Sequence, residues 1–201
     1  MINNNQDTEN KNFLKELKNY RNLIIEGNKS TNLMSKKIDG NEIDVLIKES
    51  LFINKLTDKK IIIDAGSGSG IPGIPIALSN KDLFVFLVEP RKKKNDFLTR
   101  LKKEFSLNRV TVVKASIKEF FQGKKYEGSI LLARGFPDNL RLLEFLKKKK
   151  VDELIIITSD NKIKKMEKAI ELFKKTIYNI PFRNQLKILK LENVSRETRK
   201  E

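Results

Sequence analysis

The chain has 201 residues, 39% of them hydrophobic, which suits one full α/β-sized domain with a small addition and a proper buried core. It contains neither cysteine nor histidine, so disulfides, thiolate and imidazole zinc sites, and Ser-His or Cys-His catalysis are excluded, and no metal site is expected. No apolar run reaches the ~20 residues a membrane helix needs, and the polar start Met1–Asn10 has no secretory signal, so a soluble cytoplasmic protein is expected.

The formal net charge of +16 points to a polyanionic partner, because lysines and arginines that meet phosphates release condensed counterions. The excess is mostly lysine, with many Asn and Ile, which AT-rich coding would also produce. Charge alone leaves both explanations open.

Two helical patterns come first. Phe13, Leu14, Leu17, Tyr20, Leu23 and Ile24 recur at helical spacing over Asn12–Glu26, with Gly27 and Asn28 as a stop. Ile43, Leu46, Ile47, Ser50, Leu51 and Ile53 do the same over Glu42–Leu56. Residues 1–58 thus form an N-terminal helical segment whose apolar faces serve packing.

From Lys60 the pattern alternates. Apolar runs at Ile61–Asp64, Phe84–Val88, Val110–Val113, Ile130–Ala133 and Leu154–Thr158 suit strands buried on both faces. Helices are predicted between and after them at Ile71–Leu78, Lys94–Phe105, Asp138–Lys147 and Asn161–Phe173. Thr176–Ile180 and Leu186–Leu191, split by Pro181–Gln185, form an antiparallel edge hairpin. Right-handed βαβ units in this order give an α/β, Rossmann-like, doubly wound and mostly parallel seven-stranded sheet over residues 59–192, followed by a charged tail at 193–201.

Ligands of such sheets bind beyond the carboxyl ends of the strands, and there the chain reads Asp64-Ala65-Gly66-Ser67-Gly68-Ser69-Gly70-Ile71-Pro72-Gly73-Ile74-Pro75. Alternate glycines let the backbone turn tightly and approach a ligand with no Cβ between. About twenty residues on, Glu89 ends the next strand, placed to accept bonds from both ribose hydroxyls of an adenosine-containing cofactor. Gly68–Gly73 also fits G-x-G-x-x-G, the fingerprint of a dinucleotide-binding regulator or oxidoreductase, although Gly66 already ends the strand. No Gly-Lys-Ser/Thr follows, which argues against a triphosphate P-loop.

The run Asp64–Pro75 resembles the RsmG (GidB) family, whose members use S-adenosyl-L-methionine to methylate N7 of a guanosine in 16S rRNA. The resemblance extends to Asn32-Leu33-Met34-Ser35, to Lys48-Glu49-Ser50-Leu51 where the family has hydrophobic-Asp-Ser-Leu, to Glu89 with Lys93-Lys94 and Phe97-Leu98, and to Ala133-Arg134-Gly135. It implies a cofactor site of Asp64, Gly66, Gly68, Gly70, Ile71 and Glu89, with Ile117 and Lys118 flanking the adenine and Arg134 closing the site as its catalytic residue. The implied partner is 16S rRNA or a precursor of the small ribosomal subunit. Two positions depart from the family pattern. Lys118 stands where an acid is usual, leaving Ile117, the backbone or Ser116 for the adenine, and Leu46 stands where a histidine is usual. An inactive RNA-binding assembly factor on the same fold is the remaining alternative.

The missing residues also select among methylations. Pyrimidine carbon-5 transfer normally needs a cysteine nucleophile. Asn179-Ile180-Pro181-Phe182 fits the turn of adenine amino-group enzymes, but lies in the last hairpin instead of after the fourth strand. Guanine N7 presents a lone pair and needs no base. Among the basic runs, Arg91, Lys93 and Lys94 stand nearest the cofactor mouth and are the candidate RNA contacts, whereas Lys147–Lys150, Lys162, Lys164 and Lys165 suit solvated helix faces as well. Phe136 could stack on a flipped base or sit in the core.

Overall fold

The computed structural model describes residues 3–35 and 38–193. Its elements are α1 (Asn3–Thr31), α2 (Gly40–Asn54), β1 (Ile61–Ala65), α3 (Gly73–Ser79), β2 (Phe84–Val88), α4 (Lys92–Glu104), β3 (Val110–Val113), α5 (Ile117–Phe120), β4 (Ser129–Arg134), α6 (Asn139–Lys147), β5 (Glu153–Thr158), α7 (Asp160–Ile170), β6 (Phe173–Ile180) and β7 (Arg183–Asn193). The strands form one sheet in the order β3-β2-β1-β4-β5-β7-β6. All pairings are parallel except those of β7, which runs antiparallel to both β5 and β6. The chain winds outward from β1 to β3 and then returns to the far side of β1, so the switch point lies between β1 and β4. The seven-stranded, mostly parallel architecture read from the sequence is the one observed.

Side chains alternate across the sheet, and this alternation sorts the core into two layers. Ile62 packs with Leu87, Leu132 and Ile155 beneath α1, α2, α3 and α4. Its neighbour Ile63 faces the opposite way, toward Val88, Leu131, Ile156 and helices α5, α6 and α7. Burial on both faces explains the unbroken Ile/Leu/Val runs of the central strands.

Several boundaries differ from the sequence expectation, each for a local reason. Helix α1 continues past Gly27 and Asn28 to Thr31. Gly27 serves close packing instead of termination: a Cβ there would meet Phe97 Cε2 at 2.8 Å and Leu33 Cδ1 at 2.9 Å. Asn28 acts on the next turn, its Oδ1 accepting from the Met34 N–H at 2.9 Å and its Nδ2 donating to the Ser35 carbonyl at 3.3 Å. The left-handed residue after the helix is Asn32, with φ +48°. Helix α2 starts two residues early, where Asp39 caps it by accepting from the Glu42 N–H at 2.8 Å. Helix α3 starts at Gly73, two residues late, because the glycine loop runs through Pro72. Helix α4 gains Lys92 and Lys93, and α7 ends at Ile170, since Phe173 already opens β6. The hairpin strands are longer than expected, its turn shrinks to Pro181 and Phe182, and β7 lies inside the sheet with β6 at the edge. Short α5 was not expected as a helix; Ser116 and Glu119 build it with a reciprocal capping box. Of the tail at 193–201, Asn193 ends β7 and the rest lies outside the described residues.

Candidate cofactor and substrate site

The loop after β1 is held by its own backbone bonds. Gly66 and Ser67 donate their N–H groups to the Val88 carbonyl at 2.8 and 3.2 Å, tying the loop to the end of β2. Gly66, Gly68 and Gly70 all have positive φ, at +71°, +58° and +95°. Their surroundings differ. A Cβ on Gly66 or Gly68 would find no atom closer than 3.5 Å, whereas one on Gly70 would meet Ile74 Cγ1 at 2.6 Å. Gly66 and Gly68 therefore keep the mouth of the loop free of side chains, and Gly70 lets the backbone pass under α3.

Asp64 and Tyr20 hold this loop from inside. The Asp64 carboxylate accepts from the Gly73 N–H at 3.2 Å, and the Asp64 carbonyl accepts from Ser67 Oγ at 2.9 Å. Burial pushes the Asp64 carboxyl up to about 7; bonds from Gly73 and Ser67 oppose this, and the Glu89 charge adds to it. Tyr20 in α1 donates its hydroxyl to the Ser69 carbonyl at 3.1 Å. Burial, with a smaller contribution from the Asp64 charge, raises the Tyr20 phenol well above its ordinary value.

Glu89 is fully buried at the end of β2. Its Oε2 accepts from the Gly68 N–H at 3.0 Å, so the glycine loop and the predicted ribose acceptor meet directly. Arg91 reaches back to the same carboxylate, donating its backbone N–H at 3.0 Å, Nε at 2.8 Å and Nη2 at 3.2 Å. Burial alone would raise the Glu89 carboxyl, but the bonds and charge of Arg91, with the Gly68 N–H, outweigh it and hold the group below its ordinary value.

Across the switch point, β4 ends in Arg134. Its Nε donates at 2.7 Å to Glu49, a carboxylate of α2 that is 1% exposed. Arg134, Gly135, Phe136 and Leu186 line a cavity of about 160 Å³ that continues to Thr158 and Lys162. The Phe136 ring lies over the glycine loop, within 3.5 Å of where a Gly66 Cβ would stand. This ring is half-buried and faces the site, between the two alternatives read from the sequence.

The other candidates separate. Ile71 and Ile117 are buried in opposite core layers, so a ligand would meet their backbone more than their side chains. Ser116, a possible adenine partner in the sequence reading, spends its hydroxyl on the Glu119 N–H as the cap of α5. Lys118 is exposed on that helix. Of the three candidate RNA contacts, Arg91 is on Glu89 and Lys94 donates to the Leu33 carbonyl at 2.8 Å. Burial lowers the Lys94 ammonium, helped by the Arg91 charge and opposed by that of Glu89. Lys93 is exposed and makes no ion pair among the described residues.

Sequence reasoning missed the roles of Glu49, Tyr20 and Arg183. Arg183 follows the Pro181-Phe182 turn and sends Nε to within 3.7 Å of Glu49 Oε2. The Asn179–Phe182 segment, set aside for its distance from β4 in the chain, thus comes near the site through its neighbour. A signal for Glu49 was present: it falls between Leu46 and Ile53 on the apolar stripe of α2, where a charge is rare unless paired. The dinucleotide register finds no support. The loop begins at Gly66, and Gly73 is needed for packing, since a Cβ there would overlap the Leu87 side chain.

Comparison with known proteins bears on the family and the fold. A family model described as "rRNA small subunit methyltransferase G" (GidB) matches residues 13–189. The chain is 28% identical to the ribosomal RNA small subunit methyltransferase G of Fusobacterium nucleatum subsp. nucleatum, covering 83% of this chain and 76% of that protein. It is 31% identical to the protein of the same name from Brachyspira hyodysenteriae, covering 89% and 84%. Among solved structures, M. capricolum TrmK with S-adenosyl-homocysteine superposes with a TM-score of 0.57 at 14% identity, over 72% of this chain and 67% of that one. An rRNA methylase from Streptococcus thermophilus gives 0.55 at 13% identity, over 74% and 95%. These last two share the methyltransferase fold. With the family model spanning nearly the whole described chain, the protein belongs to the rRNA small subunit methyltransferase G family.

Proposed function

We propose that the chain transfers a methyl group from S-adenosyl-L-methionine to N7 of a guanosine in 16S rRNA, acting in the cytoplasm on the RNA or on a small-subunit precursor. The observation that carries this reading is the bond from the Gly68 N–H to the buried Glu89 carboxylate, which joins an open glycine loop to a ribose acceptor at the mouth of β1 and β2. These residues fit the cofactor: Gly66 and Gly68 offer side-chain-free backbone, and Glu89 offers a carboxylate that can accept from two hydroxyls once Arg91 yields. The cofactor supplies an electrophilic methyl group on a sulfonium.

The chain's own residues bind and orient. Phe136 packs over Gly66 at one side of the loop, and Arg134 presents a fixed planar cation beside it. Guanine N7 carries a free lone pair, so alignment and electrostatics suffice in a chain without histidine or cysteine. Among the described residues no helix is long and apolar enough to cross a membrane.

Thermal-shift measurements with S-adenosylhomocysteine and NAD test the cofactor, since only the true ligand stabilises the fold. Mapping N7-methylguanosine in 16S rRNA from cells with and without the gene tests the substrate. Identical maps would sink the enzymatic reading and favour an RNA-binding assembly factor.

A further inference from the structure

The Glu49 carboxylate is buried between two arginines that reach it from different parts of the fold. Oε1 accepts from Arg134 Nε at 2.7 Å, and Oε2 faces Arg183 Nε at 3.7 Å. Glu49 Oε2 and Arg183 Nε are both buried and lack a hydrogen bond among the described residues. Two helical turns earlier on the same stripe of α2, Glu42 stands 3.6 Å from Arg183 Nη2. Helix α2 thus offers a short row of carboxylates to the end of β4 and to the hairpin turn together.

A carboxylate is costly to bury, and a buried ion pair is weak ground for stability. Its placement makes more sense in what it does to Arg134. A free arginine side chain samples many rotamers, which would blur any contact it makes. Bonded through Nε, the guanidinium is fixed as a plane, and its two terminal nitrogens have no protein partner among the described residues.

We propose that Glu49 is a positioning residue: it holds Arg134 through Nε so that the outer edge of the guanidinium faces the cavity, with Arg183 steadying the other oxygen. This rests on the reading of Arg134 as a residue of the site, and the test separates the two. Single-turnover methyl transfer to small-subunit rRNA is measured for wild type, Glu49→Gln, Arg134→Ala and the double variant, each checked for folding by its thermal melt. Loss of alignment lowers the Glu49→Gln rate about a hundredfold. Arg134→Ala loses at least as much, the double variant equals Arg134→Ala, and Glu49→Asp restores most of the rate. If the two losses multiply in the double variant, or if Glu49→Gln runs at the wild-type rate while Arg134→Ala is slow, the positioning role is overturned and Arg134 keeps its place. If Arg134→Ala runs at the wild-type rate, the reading of Arg134 fails as well.

A second measurement needs no folded Glu49 variant. In the wild-type protein the Arg134 Nε–H, assigned by its loss in Arg134→Lys, gives a proton signal protected from exchange with water. Exchange at the rate of a free arginine overturns the proposal.

Discussion

Arg91 occupies three of the acceptor positions of Glu89, two on Oε1 and one on Oε2, and the Gly68 N–H takes a fourth. A carboxylate has about four lone-pair sites, so ribose hydroxyls can bind only as the Arg91 side chain leaves. Its guanidinium is more than half exposed, which makes the exchange cheap. Arg91→Ala should bind S-adenosylhomocysteine up to about fivefold tighter, within the ~1 kcal/mol range of a solvent-screened ion pair. Glu89→Gln should weaken binding by roughly 1–3 kcal/mol. Calorimetry decides; unchanged affinity in Arg91→Ala means the guanidinium does not compete.

The Asp64 carboxyl, pushed to about 7 from an ordinary 3.8, binds its proton more tightly in the folded than in the unfolded chain. Between those values the folded state carries more protons, so this group's contribution to stability is greatest below about pH 4 and declines as pH rises toward 7. The total is of the order of a few kcal/mol. Urea titrations of wild type and Asp64→Asn from pH 4 to 8 should differ by a slope of this sign. Parallel curves would show that Asp64 does not titrate there.

The same group bears on rate. Transfer to N7 needs no base, and carboxylates as a class titrate below pH 6, so N7 chemistry by itself gives a flat profile from about pH 6 to 9. Asp64 breaks that assumption, because it supports the glycine loop and titrates inside the window. A shallow inflection near pH 7 should therefore appear in wild type and vanish in Asp64→Asn. A tenfold fall per pH unit that survives Asp64→Asn would mark a true catalytic base and refute N7 as acceptor.

The glycines should fall into two classes. Gly70→Ala combines a left-handed φ with overlap of Ile74, so it should lower stability by about 2–4 kcal/mol. Gly68→Ala meets only ordinary contacts, the Gly66 carbonyl oxygen at 3.7 Å and Lys94 Nζ at 3.9 Å, and carries the ~1–2 kcal/mol of left-handed strain, yet it places a methyl group at the ligand mouth. Melting temperature should report the first and S-adenosylhomocysteine affinity the second. Equal melting temperatures for the two variants would be the contrary result.

Lys93 and Lys94 are adjacent but differently employed. Neutralising Lys93 should reduce the salt slope of RNA binding by about one phosphate contact. Lys94, bonded to the Leu33 carbonyl, should leave that slope nearly unchanged and instead loosen the segment between α1 and α2. A Lys94→Ala slope reduced as much as that of Lys93→Ala would show that its tether opens on RNA.

What the sequence disclosed follows from distance along the chain. The five parallel strands were legible because each is a short, mainly apolar run, and the Asp64–Gly73 loop because its glycines lie within one segment. Element ends were less legible, since Gly27 looks like a stop until Phe97 is known to press against it. The arginine clamp was hidden for a stronger reason. Glu49 and Arg134 are 85 positions apart, and only the sheet order brings them together. Asn28 and Ser116 show the same on a smaller scale, as side chains that serve the local backbone where the sequence suggests a stop and a ligand contact.

Tyr20 gives the first helix a stake in ligand chemistry. Its hydroxyl grips the Ser69 carbonyl from 49 positions away, in a bond that is buried. Undocking α1 would strand this acceptor and uncover Ile74 and Leu98 in the same motion. Opening of α1 should therefore accompany opening of the glycine loop, and the backbone amides of both should exchange with solvent at a common free energy. A chain cut after Asp58 would lose the preorganisation of the loop along with the helices.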